Sequence, residues 1–211
     1  MTLKHKIIYE PTTTITDFFI FILGIFFSWK IFQISNNSQF HLIWSLSFFF
    51  IGFGGLLGAI SHGFGPRMRE KYKKIIWRLT LIFVGLTGLS ICIASIIIFI
   101  NDIKLYFFSG VLFLFYINRI RIEDDFKNAV MFYLPLILLS IISFGIFFYV
   151  YGVVASLFIF VGLIISVAAS LIQVMRISFH KHFNHNDLFH VIQIFGMYFI
   201  FKGVIDINIV L

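Results

Sequence analysis

Charge is what this chain has least of. Asp, Glu, Lys and Arg make up 12% of its 211 residues, and only nine of them are acidic. A soluble domain usually carries about twice that share, so too little polar surface remains to face water. Cysteine is nearly absent. Cys92 stands alone in the middle of an apolar run, which excludes an intramolecular disulfide and says nothing about redox compartment. There are three prolines and no Pro/Gly/Ser-rich linker, low-complexity tract or long polar segment. The sequence therefore reads as a single domain, residues 1–211, without a convincing internal repeat.

What fills the chain is apolar. Hydrophobic residues make up 60%, mean hydropathy is +1.03, and there are 31 phenylalanines. The runs are helix-length and nearly free of charge, the pattern of an integral membrane protein. Seven spans are predicted, at 15–35, 40–62, 76–100, 103–119, 127–148, 151–174 and 187–209. The fold class expected is all-α, a polytopic seven-transmembrane-helix bundle. The first span reads as a membrane helix rather than a signal peptide. A threonine-rich stretch separates it from Lys4 and Lys6, and Trp29-Lys30-Ile31-Phe32 offers no small-residue cleavage site.

The net charge of +7 is a topology signal rather than a nucleic-acid signal. Lys4 and Lys6 precede span one. Arg67, Arg69, Lys71, Lys73, Lys74 and Arg78 follow span two; Arg119, Arg121 and Lys127 follow span four; Arg176 and Lys181 follow span six. Those are thirteen of the sixteen basic residues, with Lys30 and Lys104 on the other side and Lys202 inside span seven. The positive-inside rule then puts the N-terminus in the cytoplasm and the C-terminus outside. The Arg67–Lys74 run also attracts anionic lipid headgroups. A bacterial inner (plasma) membrane fits the inner charge bias, and membrane lipids are the expected partners.

Five of the seven histidines, His62, His180, His182, His185 and His190, fall at this inner face. His62 ends span two and His190 lies in the first turns of span seven. Asp17 lies near the start of span one and Asp187 near the start of span seven. At 1.5 Å per residue these four are within roughly 10 Å of one membrane boundary. Asp187 and His190, three apart, share a helix face. Polar groups at such depth are costly unless paired, solvated or ligand-bound. Two imidazoles with one or two carboxylates suit zinc, whose bound water attacks carbonyls. The candidate metal ligands are His62, His190, Asp187 and Asp17. A carboxylate that is not a ligand, Asp17 above all, can act as base or orient a histidine.

Each residue has an ordinary alternative. Asp187 can serve the helix start, with Asn184 or Asn186 as N-cap. Asp17 can belong to an N-cap network with the preceding threonines. His62 precedes Gly63-Phe64-Gly65-Pro66, a helix stop, and can simply be hydrogen-bonded at the interface. His180, His182 and His185 read as loop residues. Gln193 and Met197 continue the His190 face, toward a cavity or a neighbouring helix. Glu123-Asp124-Asp125 reads as the cap of span five, Trp77-Arg78 as an interfacial anchor, and the glycines at 52, 54, 55 and 58 as a close helix contact. Lys202 in a seventh helix suggests retinal, but span three has no carboxylate counter-ion, and Asp206 can pair with the lysine instead. A haem between His62 and His190 has no further support.

Three patches resemble the seven-helix superfamily of alkaline ceramidases and adiponectin-receptor/haemolysin-III-type proteins. Glu10-Pro-Thr-Thr-Thr-Ile-Thr16-Asp17 resembles its Glu-x-x-Asn-x-x-Thr-His opening of the first helix. Gly58-Ala-Ile-Ser61-His62 resembles the Ser-x-x-x-His that ends the second. Asn186-Asp-Leu-Phe-His190-Val resembles the His-x-x-x-His-x-x-Val that opens the seventh. The resemblance implies a zinc site built on His62 and His190 in a lipid-amide hydrolase. Gly58 stands where the family has serine, Asn186 where it has histidine, and span three lacks the family's aspartate. Asp17 or Asp187 would complete the coordination.

The resulting expectation is a zinc-dependent hydrolase acting on an amide or ester bond of a lipid at the cytoplasmic leaflet, with Ser61 or His185 helping to stabilise the oxyanion. The alternative is a non-enzymatic bundle, binding lipid or a partner or acting as a small transporter or channel. In it the His/Asp cluster is structural or proton-sensing.

Overall fold

The computed structural model describes residues 7–36, 38–100, 102–178, 180 and 183–207. Lys4, Lys6, Lys181 and His182 lie outside the described residues. The helices are α1 (Pro11–Ile34), α2 (Gln39–Phe64), α3 (Glu70–Ile97), α4 (Ile103–Ile122), α5 (Phe126–Tyr151), α6 (Val154–Val174) and α7 (His185–Asp206), with a 3-10 turn, Gly65–Arg67, after α2. All seven helices are long and apolar enough to cross a membrane.

The boundaries differ from expectation where chemistry other than hydropathy decides. α3 starts at Glu70 rather than 76, because Lys71, Lys73 and Lys74 are good helix formers and the helix runs on past its apolar part. α6 starts at Val154 rather than 151. Gly152 takes a left-handed φ of 66° and donates its N–H to Phe148 O, which ends α5. α7 starts at His185, so His185 is its first residue and not a loop residue.

Six helices close a ring in which α1 touches α2, α2 touches α3, α3 touches α5, then α5, α6, α7 and back to α1. α4 packs outside, against α3 and α5. Its Tyr116 stacks on Phe132 at 4.2 Å and donates to Leu81 O at 2.6 Å. The α4–α5 turn is clamped to α3. Trp77 Nε1 donates to Asp124 O at 2.7 Å, and Arg78 reaches Asp124 Oδ2 at 2.9 Å and Arg121 O at 2.8 Å. Of the acidic cluster, Asp125 is the N-cap of α5, accepting from Lys127 N.

Lipid is as apolar as leucine, so helices gain little from mere apolar contact and rely on close packing and hydrogen bonds. The α1–α2 seam shows both. A Cβ on Gly24 would stand 2.7 Å from Gly52 Cα and 2.9 Å from Phe48 O. Further along, Ser45 Oγ donates to Ser28 O at 2.9 Å. Ser95 bonds Ser140 across α3–α5, Tyr133 bonds Ser170 across α5–α6, and Gln193 bonds Ser166 across α6–α7. The outward face is apolar, with Phe107, Phe115 and Ile142 exposed, as suits a lipid surround.

A side chain at Gly24 must push two backbones apart. Gly24→Leu is expected to cost about 2–3 kcal/mol, lowering the thermal midpoint in detergent by roughly 5–10 °C. Gly110→Ala on α4, where a Cβ meets nothing within 4 Å, should leave the midpoint unchanged. Equal midpoints for the two variants would refute the close-packed seam.

Candidate functional site

Where α1 and α7 begin and α2 ends, their polar residues meet. Pro11 occupies the first turn of α1, where its missing N–H costs nothing. Glu10, Thr13 and Asp17 follow at three- and four-residue spacing and so share one helix face. Thr13 and Asp17 are buried. Asp17 sits roughly two turns inside α1, too deep for the N-cap network that its threonine neighbours suggested.

Across the α1–α7 contact, His190 Nε2 lies 3.2 Å from Asp17 Oδ1, and His190 Nδ1 lies 2.9 Å from Thr16 Oγ1. The Thr16 hydroxyl has one proton and two acceptors in reach, Thr13 O at 3.0 Å and His190 Nδ1. With the proton on Thr13 O, the ring donates Nδ1–H to Thr16; with it on Nδ1, the ring donates Nε2–H to Asp17. In the first arrangement the neutral ring turns a bare Nε2 lone pair toward a carboxylate oxygen. That contact is repulsive unless a proton or a cation sits in it. The other carboxylate oxygen, Asp17 Oδ2, is buried with no hydrogen-bond partner. A buried anion in that condition is expensive.

His62, at the end of α2, places Nδ1 3.1 Å from Glu10 Oε2, and its ring meets Trp77 edge-on at 6.4 Å. Nε2 is its remaining nitrogen. Both histidines are thus held by Nδ1, the arrangement by which outer groups orient metal-binding imidazoles. The hydrogen bond from His62 holds the Glu10 carboxyl below the ordinary carboxylate range, against the desolvation that would raise it.

Asp17, His62 and His190 all line one cavity of about 150 Å³ at the centre of the six-helix ring. A void of that size takes a group about as large as benzene. Its deeper wall is apolar, with Ile20, Phe48, Ile51, Ile91, Ile137 and Leu163. A polar strip of Tyr133, Ser166, Ser170 and Gln193 runs beside it. Gln193 therefore faces the cavity and also bonds a neighbouring helix.

The remaining candidates lie elsewhere. Asp187 completes a capping box. Asn184 Oδ1 accepts from Asn186 N and Asp187 N, while Asp187 Oδ2 accepts from Asn184 N at 2.8 Å. Asp187 Oδ1 accepts from Thr13 Oγ1 at 2.7 Å. With both oxygens engaged and no place in the cavity lining, Asp187 ties α7 to α1. Asn186, by contrast, does line the cavity, and accepts from Gln173 Nε2 at 2.7 Å. Ser61 and His185 do not line the cavity, although His185 lies close enough to Glu10 to act on its charge. His180 pairs with Phe183 through the backbone. Lys202 is half exposed and pairs with Asp206 at 2.7 Å, away from the cavity.

The donor chemistry fits zinc: two imidazole nitrogens and a carboxylate whose second oxygen is orphaned. His190 and Asp17 already stand together. Among the described residues no three His, Cys, Asp or Glu side chains converge on one point; His62 would be the third ligand from across the cavity. Thr16 and Glu10, which hold the two rings, were visible in the sequence only as members of a motif.

A family model described as a family of unknown function, DUF6962, matches residues 12–209. No curated protein and no solved structure matches the chain.

The sign of the Glu10 shift sets a pH test. Its folded value lies below the ordinary value of 4.5. The Glu10–His62 contact therefore stabilises fully above that value and is lost as pH falls through the folded one. The pair is partly exposed, so the gap between parent and Glu10→Gln should be under about 1 kcal/mol near neutrality. Thermal melts at stepped pH should show that gap closing below about pH 4.5. A gap that persists undiminished at lower pH would show that Glu10 acts otherwise.

Proposed function

The chain belongs to the DUF6962 family, of unknown function, and from its own geometry we propose that it is a zinc-dependent hydrolase of a lipid amide or ester bond. The observation that carries this reading is the meeting of two histidines with Asp17, whose Oδ2 has no hydrogen-bond partner, on one buried cavity. The site opens on an apolar cavity suited to part of an acyl chain. With the N-terminus in the cytoplasm, as the basic loops direct, the chemistry falls at the cytoplasmic leaflet, and a bacterial inner membrane suits that orientation.

His62, His190 and Asp17 would hold the metal. When bound, zinc supplies a nucleophile at neutral pH and polarises the acyl carbonyl. Thr16 fixes the His190 ring with Nε2 toward the site, and Glu10 does the same for His62. Asp17 Oδ2 can accept a proton from an attacking water and return it to the leaving amine or alkoxide. The apolar wall excludes bulk water and positions the chain. Gln193 and Tyr133 offer polar contacts for the substrate beyond the scissile bond.

A second reading rests on the Asp17–His190 contact. A proton shared between the two satisfies both, and the protein would then be a proton-linked lipid-binding bundle or small transporter.

Metal content separates the two. Protein purified without chelators is expected to carry about one zinc per chain, lost in His62→Ala, His190→Ala and Asp17→Asn. Glu10→Gln should bind zinc about 10- to 100-fold more weakly. Lipid profiling of membranes with and without the protein should show one acyl lipid consumed and its free acid formed, only with the parent. Metal-free protein of full thermal stability, unable to take up added zinc, would sink the hydrolase and leave the proton-linked reading.

A further inference from the structure

Five glycines stand in the α1–α2 seam, Gly24, Gly52, Gly55, Gly58 and, against the Thr14 side chain, Gly63; Gly58 does a different job. At Gly24 and Gly55 an added Cβ would run into backbone: Gly52 Cα at 2.7 Å in one case, Asp17 O at 2.7 Å in the other. At Gly52 it would meet Ile25 N and Phe21 O, each at 3.3 Å. These three let the helix backbones approach. At Gly58 the nearest atoms are different in kind. The Cβ would stand 2.9 Å from Asp17 Oδ1, 2.9 Å from Oδ2 and 3.1 Å from Cγ. The obstacle there is the free end of a side chain, which can swing aside without disturbing the helices.

We propose that Gly58 is the positioning residue for Asp17: the carboxylate reaches His190 only because position 58 has no side chain. The proposal rests on the pairing of Asp17 with His190 described above and deepens that reading. Both oxygens are equally close to the empty Cβ position, so rotating the carboxylate in place gives no relief. The carboxylate has to move as a whole, and any displacement that clears a Cβ alters its 3.2 Å contact with His190 Nε2. Gly58 therefore governs the chemistry of the pair while contributing little to the packing of α1 on α2. The same argument explains how one carboxylate from the first helix fits at the end of the second. It occupies the volume that a serine or alanine would fill.

The test uses metal-free full-length protein in detergent, with histidine labelled by ¹⁵N. The ring-nitrogen signals of His190 are recorded at one neutral pH. In Gly58→Ala they are expected to move from their parent positions to those of Asp17→Ala, with a thermal midpoint within about 4 °C of the parent. In Gly58→Ala/Asp17→Ala they should not move further, since the Cβ then has nothing to displace; this non-additivity is the mark of action through Asp17. Parent-like His190 signals in Gly58→Ala would overturn the proposal. So would a Gly58→Ala effect that persists in full on the Asp17→Ala background. If Gly58→Ala alone fails to fold, rescue of folding by Asp17→Ala supports the proposal, and failure of both variants overturns it. None of these outcomes depends on zinc or hydrolysis, so the inference can stand if the hydrolase reading falls, and the reverse.

Discussion

A carboxylate buried against an imidazole nitrogen needs a proton or a metal ion between the two. The Asp17–His190 contact sets that condition, and the surrounding structure maintains it. Thr13 and Thr16 together hold the ring: the Thr16 hydroxyl lies within hydrogen-bond distance of both Thr13 O and His190 Nδ1. Gly58 leaves the carboxylate its space. The Thr13–Asp187 bond and the capping box hold the start of α7 against α1, so the two members of the pair cannot drift apart. In hydrocarbon the cost of failure is higher than in water, because no solvent can replace a lost partner.

The bundle makes such a site possible by closing six helices around a small cavity. Glycine seams bring backbones near enough for hydroxyl and amide groups to bond across helices, which supplies the attraction that apolar contact cannot give within lipid. α4 contributes nothing to the cavity lining. It stays outside, fastened by Tyr116 and by the Trp77 and Arg78 clamp. The cavity is apolar on its deep side and polar at the end where α1 and α7 begin. It therefore suits a molecule with a reactive head and a hydrocarbon tail.

Much of this was legible in the sequence. Seven apolar runs gave seven helices, and the depth of His62, His190 and Asp17 along them brought all three to one cavity. Hydropathy located helix ends poorly where charged residues extend a helix, as at Glu70–Ile75, or where a glycine turn divides two apolar runs, as at Gly152. Asp187 and Asp17 looked alike in the sequence, both acidic and both near a helix start. The structure separates them because only Asp187 reaches a free backbone N–H. Glu10 and His62 are 52 positions apart in the chain, and no local pattern announces a bond of that span. The role of Gly58 was equally hidden, since a glycine that makes room for a side chain reads the same as one that makes room for a helix.

The central proposal is that His190 and Asp17, with His62, would hold a zinc ion. X-ray absorption at the zinc edge, on protein purified without chelators, tests it directly. The account predicts zinc with nitrogen and oxygen neighbours at about 2.0–2.2 Å, including an imidazole contribution that diminishes in His190→Ala. An absent zinc edge, or an imidazole shell unchanged by His190→Ala, would contradict it.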